Sequence, residues 1–219
     1  MKDQSRSHHR ERTFAALLLA AACFVAGFLL GTNHAPAVTP PEVPAMVWPR
    51  FPPLDDFTLG DQHGARFDAR RLDDRWTLLF FGYTHCPDIC PTTLATLKQV
   101  RDTLRGFAPF DARGQVVLVS VDGARDTPQQ LARYLGHFDP DFIGASGSDA
   151  ELETLTAQLG LRIVRVSTDD PQDYWFEHPA SVLLLDPARR IVGEFAPPLD
   201  VADIAAQLRH IIAWGETAP

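Results

Sequence analysis

Residues 76–83 read "WTLLFFGY", an uncharged, aromatic-rich run that passes directly into two cysteines, "THCPDICP". A continuous apolar stretch of this length predicts a strand covered on both faces, the central strand of a sheet. The chain that follows supplies its cover. "TTLATLKQVRDTL" (92–104) carries Leu94, Leu97, Val100 and Leu104 at helical spacing, and "QVVLVSV" (115–121) returns as a second buried strand. Together they predict a parallel, right-handed β-α-β unit.

The remaining elements extend this unit at both ends. Upstream, "LDDFTLGDQHGARFDARRL" alternates loosely about Asp61-Gln62-His63-Gly64 and predicts a hairpin. Downstream, Thr127-Pro128 opens a helix over "PQQLARYLGHF", and "SDAELETLTAQLG" (148–160) has a serine cap, Glu151 three residues on and a terminal Gly160. The strand-like segments "LRIVRVS" (161–167), "SVLLLD" and "IVGEF" should finish the sheet, the last two as an antiparallel hairpin about Pro187-Ala188-Arg189-Arg190, and "DVADIAAQLRHIIAW" (200–214) packs as the last helix. Parallel strands first, an antiparallel hairpin last and cysteines where a long strand meets a helix predict a thioredoxin-like α/β fold, a three-layer sandwich over residues 54–219.

Residues 12–32, "RTFAALLLAAACFVAGFLLGT", hold no charge after Arg12. About twenty residues at 1.5 Å rise span one hydrocarbon core, so 13–32 reads as a membrane anchor with residues 1–12 on the cytoplasmic side, where Lys2, Arg6, Arg10 and Arg12 cluster. The alternative is a signal peptide cleaved near Ala35-Pro36-Ala37, but the apolar region exceeds the usual length of one. Cys23 lies inside the span and reads as a membrane-embedded cysteine. Residues 33–53 are proline-rich and form a stiff, extended spacer. The net charge of −8, with a basic excess only before the anchor, excludes nucleic acid as a partner.

Cys86 and Cys90 fall at a strand end and the first helical turn, close enough to meet if Pro87 starts the helix. A disulfide closing so short a loop stabilises by only about 2 kcal/mol, a weak reason for its existence. A helix N-terminus favours the thiolate, although Asp88 opposes this. Thiolates are both nucleophiles and metal ligands, so the pair alone leaves a redox couple and a metal site open. A third donor would decide. His8 and His9 precede the anchor, His34 and His63 lie in the spacer and hairpin, His137 and His210 belong to helices, and His85 should point away from its neighbour Cys86. His178 remains, in the loop before "SVLLLD", and in a thioredoxin-like fold that loop packs beside the cysteine turn. A lone histidine in a loop is commonly a surface or hydrogen-bonded residue, and both roles stay open on this ground.

Tyr83, Thr84, Cys86, Pro87, Asp88, Cys90 and Pro91 match the pattern Tyr-Thr-x-Cys-Pro-Asp-x-Cys-Pro, and "SVDGARDTP" is similar to Ser-Val-Asp-Pro-x-Arg-Asp-Thr, with Gly123 in place of proline. On these motifs residues 54–213 resemble the Sco/SenC family of membrane-anchored copper chaperones. Glu177-His178-Pro179 occupies the place of that family's Asp-His-Ser, ahead of Asp186-Pro187. The resemblance implies Cys86, Cys90 and His178 as copper ligands. The departures at Glu177 and Pro179 affect the surroundings of the ligands rather than the ligands. Because the family manages with serine at the position of Pro179, the His178–Pro179 bond is expected to be trans.

Two thiolates and an imidazole suit Cu(I), Cu(II) would add an oxygen or nitrogen donor, and zinc would also accept the set. A Cys86–Cys90 disulfide cannot bind the metal, so a thiol reductant must prepare the site. The expected function is a metallochaperone in the bacterial inner membrane, its domain in the periplasm, that delivers copper to the dinuclear copper site of cytochrome c oxidase. The alternative is a thiol-disulfide reductase acting on the oxidase subunit's cysteines. A third, weaker reading is a peroxide-reducing enzyme of the same fold.

Overall fold

The computed structural model describes residues 51–170 and 173–217. The expected cytoplasmic segment (1–12), the anchor (13–32) and the spacer up to residue 50 lie outside them. Among the described residues no helix is long and apolar enough to cross a membrane.

Among the described residues nine strands and five α-helices follow one another. They are β1 (Thr58–Asp61), β2 (Arg66–Asp68), β3 (Trp76–Gly82), α1 (Ile89–Thr103), α2 (Ala108–Arg113), β4 (Gly114–Ser120), α3 (Pro128–Gly136) and β5 (Ile143–Ser146), then α4 (Asp149–Gln158), β6 (Val164–Ser167), β7 (Tyr174–Glu177), β8 (Val182–Leu185), β9 (Ile191–Phe195) and α5 (Val201–Thr217). Seven strands form one sheet in the order β2-β1-β5-β4-β3-β8-β9. β3, β4 and β5 are parallel, while β1 and β8 run antiparallel to β5 and β3 respectively.

All seven residues of β3 are buried, as its unbroken apolar run predicts. It is an interior strand between β4 and β8, and β4 occupies the middle position expected of β3. The early hairpin is β1–β2, and Leu59 faces Phe67 across it. α1 directs Leu94, Leu97 and Val100 into the core, the stripe that its spacing predicts. At α4, Ser148 and Glu151 close a reciprocal capping box.

A further expectation changes, and one strand went unforeseen. Residues 161–167 do not finish the main sheet, because β6 pairs only with β7 in a separate two-stranded ribbon. Both strands alternate half-buried and exposed residues, which suits a ribbon lying on the domain and not a strand inside it. β5 is a strand that the pattern concealed, since Ile-Gly-Ala-Ser is short and poor in β-branched residues.

Candidate metal centre

The cysteine segment leaves β3 through a tight turn in which the Cys86 N–H donates to the Tyr83 carbonyl at 3.2 Å. α1 then begins at Ile89 with Asp88 as its cap, two residues later than a helix opened by Pro87. Cys86 therefore sits in the turn and Cys90 in the first helical turn, with Pro91 behind it where a missing N–H does no harm. Both thiols are free. The sulfur of Cys90 occupies space made by Gly82, where a β-carbon would stand only 2.9 Å from it.

His178 arrives from the opposite direction, directly after β7. The two sulfurs and a nitrogen of its ring all lie within 4.8 Å of one another, and Nε2 is 3.8 Å from Cys90 Sγ. The other ring nitrogen, Nδ1, is 2.9 Å from the Pro179 carbonyl oxygen. A carbonyl only accepts, so Nδ1 carries the proton and donates, and Nε2 presents its lone pair to the sulfurs. The ring stands edge-on to Tyr83 and Phe80, with centroids 5.9 Å and 6.2 Å away. The His178–Pro179 bond is trans, and the cis peptide of the described residues is Pro197–Pro198.

Burial governs the protonation of Cys90 and His178. The Cys90 side chain is wholly inaccessible while Cys86 is 9 % exposed. Burial, then a hydrogen bond with Cys86, pushes the Cys90 thiol well above its ordinary range. The thiolate-promoting effect expected of the helix N-terminus is thus outweighed at this residue. Burial also lowers the pKa of His178, with the bond to Pro179 opposing, so the imidazole stays neutral.

The donor set fits a soft metal ion. Metal–sulfur and metal–nitrogen bonds of about 2.0–2.3 Å place two donors of one ion at most about 4.6 Å apart, so a small inward movement satisfies all three. Two thiolates and one imidazole make the set suited to Cu(I).

His85 faces away, as expected. Its Nδ1 lies 3.2 Å from Thr84 Oγ1 and 3.7 Å from Asp126 Oδ1. With Asp122 and Asp126 it forms a second close cluster, but both carboxylates are engaged. Asp126, fully buried, accepts from Thr84 N at 2.9 Å, Thr84 Oγ1 at 2.6 Å and Ser120 Oγ at 2.6 Å. Asp122 accepts from Tyr174 Oη at 3.0 Å and is ion-paired with Arg125. This is a hydrogen-bond hub that fixes the turn before Cys86. Sequence reasoning missed it, although "SVDGARDTP" contains both carboxylates. In the same stretch Gly123 is required by a close approach, since a β-carbon there would lie 2.1 Å from the Gly147 carbonyl oxygen.

A layered α/β domain whose main strand ends in a Cys-x3-Cys turn, faced by a histidine from a distant loop, defines a thioredoxin-like protein with a soft metal-binding centre. A family model described as SCO1/SenC matches residues 52–213. The chain belongs to that family. A protein of Stutzerimonas stutzeri named for copper binding is 34% identical over 198 residues, 90% of this chain and 93% of the other. The copper-bound ScoI of Bradyrhizobium japonicum superposes with a TM-score of 0.64 at 35% identity, over 73% of this chain and 99% of that one. The copper-bound ScoI of Arabidopsis thaliana gives 0.67 at 29% identity, over 73% and 98%.

Proposed function

We propose that this chain is a metallochaperone that holds copper on Cys86, Cys90 and His178 and passes it by ligand exchange to the dinuclear copper site of cytochrome c oxidase. The carrying observation is the convergence of these three side chains, two from one turn and one from a remote loop, within 4.8 Å. Membership in the SCO1/SenC family supports copper as the cargo and the oxidase subunit as the client. In this reading residues 13–32 anchor the protein in the bacterial inner membrane, and the spacer carries the domain through the periplasm toward its client. A thiol reductant keeps Cys86 and Cys90 open for the metal.

The test is titration of the reduced protein with Cu(I) against a chromophoric chelator. One equivalent should bind tightly. His178→Ala should weaken it beyond the roughly 10- to 100-fold that follows from losing a mere supporter of a ligand. Equal affinity in parent and variant would remove His178 from the site.

The unequal exposure of the two thiols favours a second activity. Cys86, the accessible one, attacks a client disulfide, and Cys90 displaces the client from the mixed disulfide. The client gains two electrons and two protons while the Cys86–Cys90 disulfide forms. His178→Ala should leave this exchange largely intact.

A further inference from the structure

His178 lies outside the main sheet, in the short connection between β7 and β8. It follows β7, and the β6–β7 ribbon shares no backbone ladder with the seven-stranded sheet. β8 begins four residues later, at Val182, so the imidazole is placed from one side by the sheet and from the other by the side-chain contacts that the ribbon makes. Tyr174, the first residue of β7, makes the strongest set. Its hydroxyl donates to Asp122 Oδ1 at 3.0 Å. The guanidinium carbons of Arg125 and Arg165 each lie 3.7 Å from its ring centroid, within cation–π range. Arg125 also donates to the Tyr174 carbonyl at 3.3 Å.

The receiving end is rigid. Asp122 is 2 % exposed, and its N–H is held by Ser120 Oγ at 3.0 Å at the end of β4. Arg125 is ion-paired with Asp122 and also stands 6.0 Å from the ring of Tyr83, in the turn that carries Cys86. Tyr83 continues the connection, because its hydroxyl accepts from Phe176 N at 3.5 Å and its ring meets those of Phe176 and His178 edge-on. Burial and the bond to Asp122 raise the pKa of the Tyr174 phenol, so it keeps the proton that it donates.

We infer that Tyr174, gripped by Asp122 and Arg125, is a positioning residue: it latches the ribbon onto the cysteine turn and so sets whether Nε2 of His178 reaches a metal held by the two sulfurs. This rests on the proposed copper reading. With the latch closed the site offers three donors. With it open the ribbon lifts, and the metal keeps only Cys86 and Cys90, a state from which an incoming ligand can take it.

The experiment is a double-mutant cycle on the full chain, reduced and loaded with Cu(I), with affinity read by chelator competition. Tyr174→Ala should weaken binding about 10- to 100-fold, as loss of a ligand's supporting contact does. Tyr174→Phe, which keeps the ring and both cations, should lose less than about tenfold. In a His178→Ala background Tyr174→Ala should have no further effect, because the residue acts only through the imidazole. A second readout needs no metal: amide exchange in the apo protein should accelerate across β7 in Tyr174→Ala while β3 and β4 stay protected. An equal penalty in both backgrounds, or unchanged affinity in Tyr174→Ala while His178→Ala is weakened, overturns the latch. Weak binding by the parent, or none, would instead overturn the copper reading.

Discussion

Gly82 is the residue through which the sheet meets the metal centre, and a single methyl group there tests the site's packing. A β-carbon at this position would stand 2.9 Å from Cys90 Sγ, 2.9 Å from Phe80 Cε1 and 3.2 Å from Leu118 Cδ1. Comfortable contacts lie at about 3.5–4.0 Å, so Gly82→Ala forces Sγ to retreat by roughly 0.6–1 Å. Cys90, Phe80 and Leu118 are all fully buried, so the displacement must be taken up inside the core. Overpacking of this kind costs about 1–3 kcal/mol. The assay is urea denaturation of the reduced apo protein for the parent, Gly82→Ala, Cys90→Ala and the pair. With the sulfur removed, the added methyl has one obstacle fewer, and its cost should fall by at least about 0.5 kcal/mol, beyond ordinary additivity error. Gly82→Ala alone should also weaken Cu(I) binding, since it moves one sulfur relative to the other two donors. A variant as stable as the parent, or the same cost in both backgrounds, would refute the claim that Gly82 makes room for the sulfur.

Other outcomes follow from the same geometry. Asp126→Ala strands the Ser120 hydroxyl and the Thr84 N–H, each worth about 1–3 kcal/mol when buried and unpaired, so denaturation should show a loss of about 2–6 kcal/mol; Asp126→Asn, which keeps one acceptor, should lose less. Because burial lowers the His178 pKa below its ordinary 6.5, the unfolded chain binds more protons as pH falls past that value. The contribution is complete above about 6.5 and is lost below it, so apo stability should rise with pH through this window, less steeply in His178→Ala. Because burial keeps the Cys90 thiol protonated, Cu(I) uptake releases its proton; apparent affinity in chelator competition should increase from pH about 6 to about 8.

How much of this could be read from the chain depended on the length and strength of each signal. β3, β4, α1 and α5 carry long apolar patterns, and they lie within one or a few residues of where those patterns place them. Ser148 and Glu151 announce α4 through capping chemistry that is local by nature. The two cysteines were legible as a close pair. Their convergence with His178 was legible only through the expected fold, which packs the loop before "SVLLLD" beside the cysteine turn, and through the family resemblance; the residue's local sequence does not announce it, and the ribbon's second strand, "YWFE", looks like loop. Arg125 stands in the quoted stretch "SVDGARDTP", but nothing in the sequence pairs it with Tyr174, since an arginine and a tyrosine 49 residues apart come together only when the fold stacks them.

That division has a physical consequence for the proposed exchange of metal. Cys86 and Cys90 are fixed by the element most strongly encoded, a buried strand running into a packed helix, with Asp126 tying down the turn between them. His178 lies between β8 and the element most weakly encoded, a ribbon attached through side chains. A centre in which all three donors sat on the main sheet would bind copper with less freedom to let go, because any opening would require breaking buried backbone ladders. Placing one donor on a separable unit allows opening at the cost of a few polar and aromatic contacts, which belong to the low end of the stability scale within a folded domain. Under the proposed exchange the stiff pair would retain the ion while the imidazole yields its place to the incoming ligand.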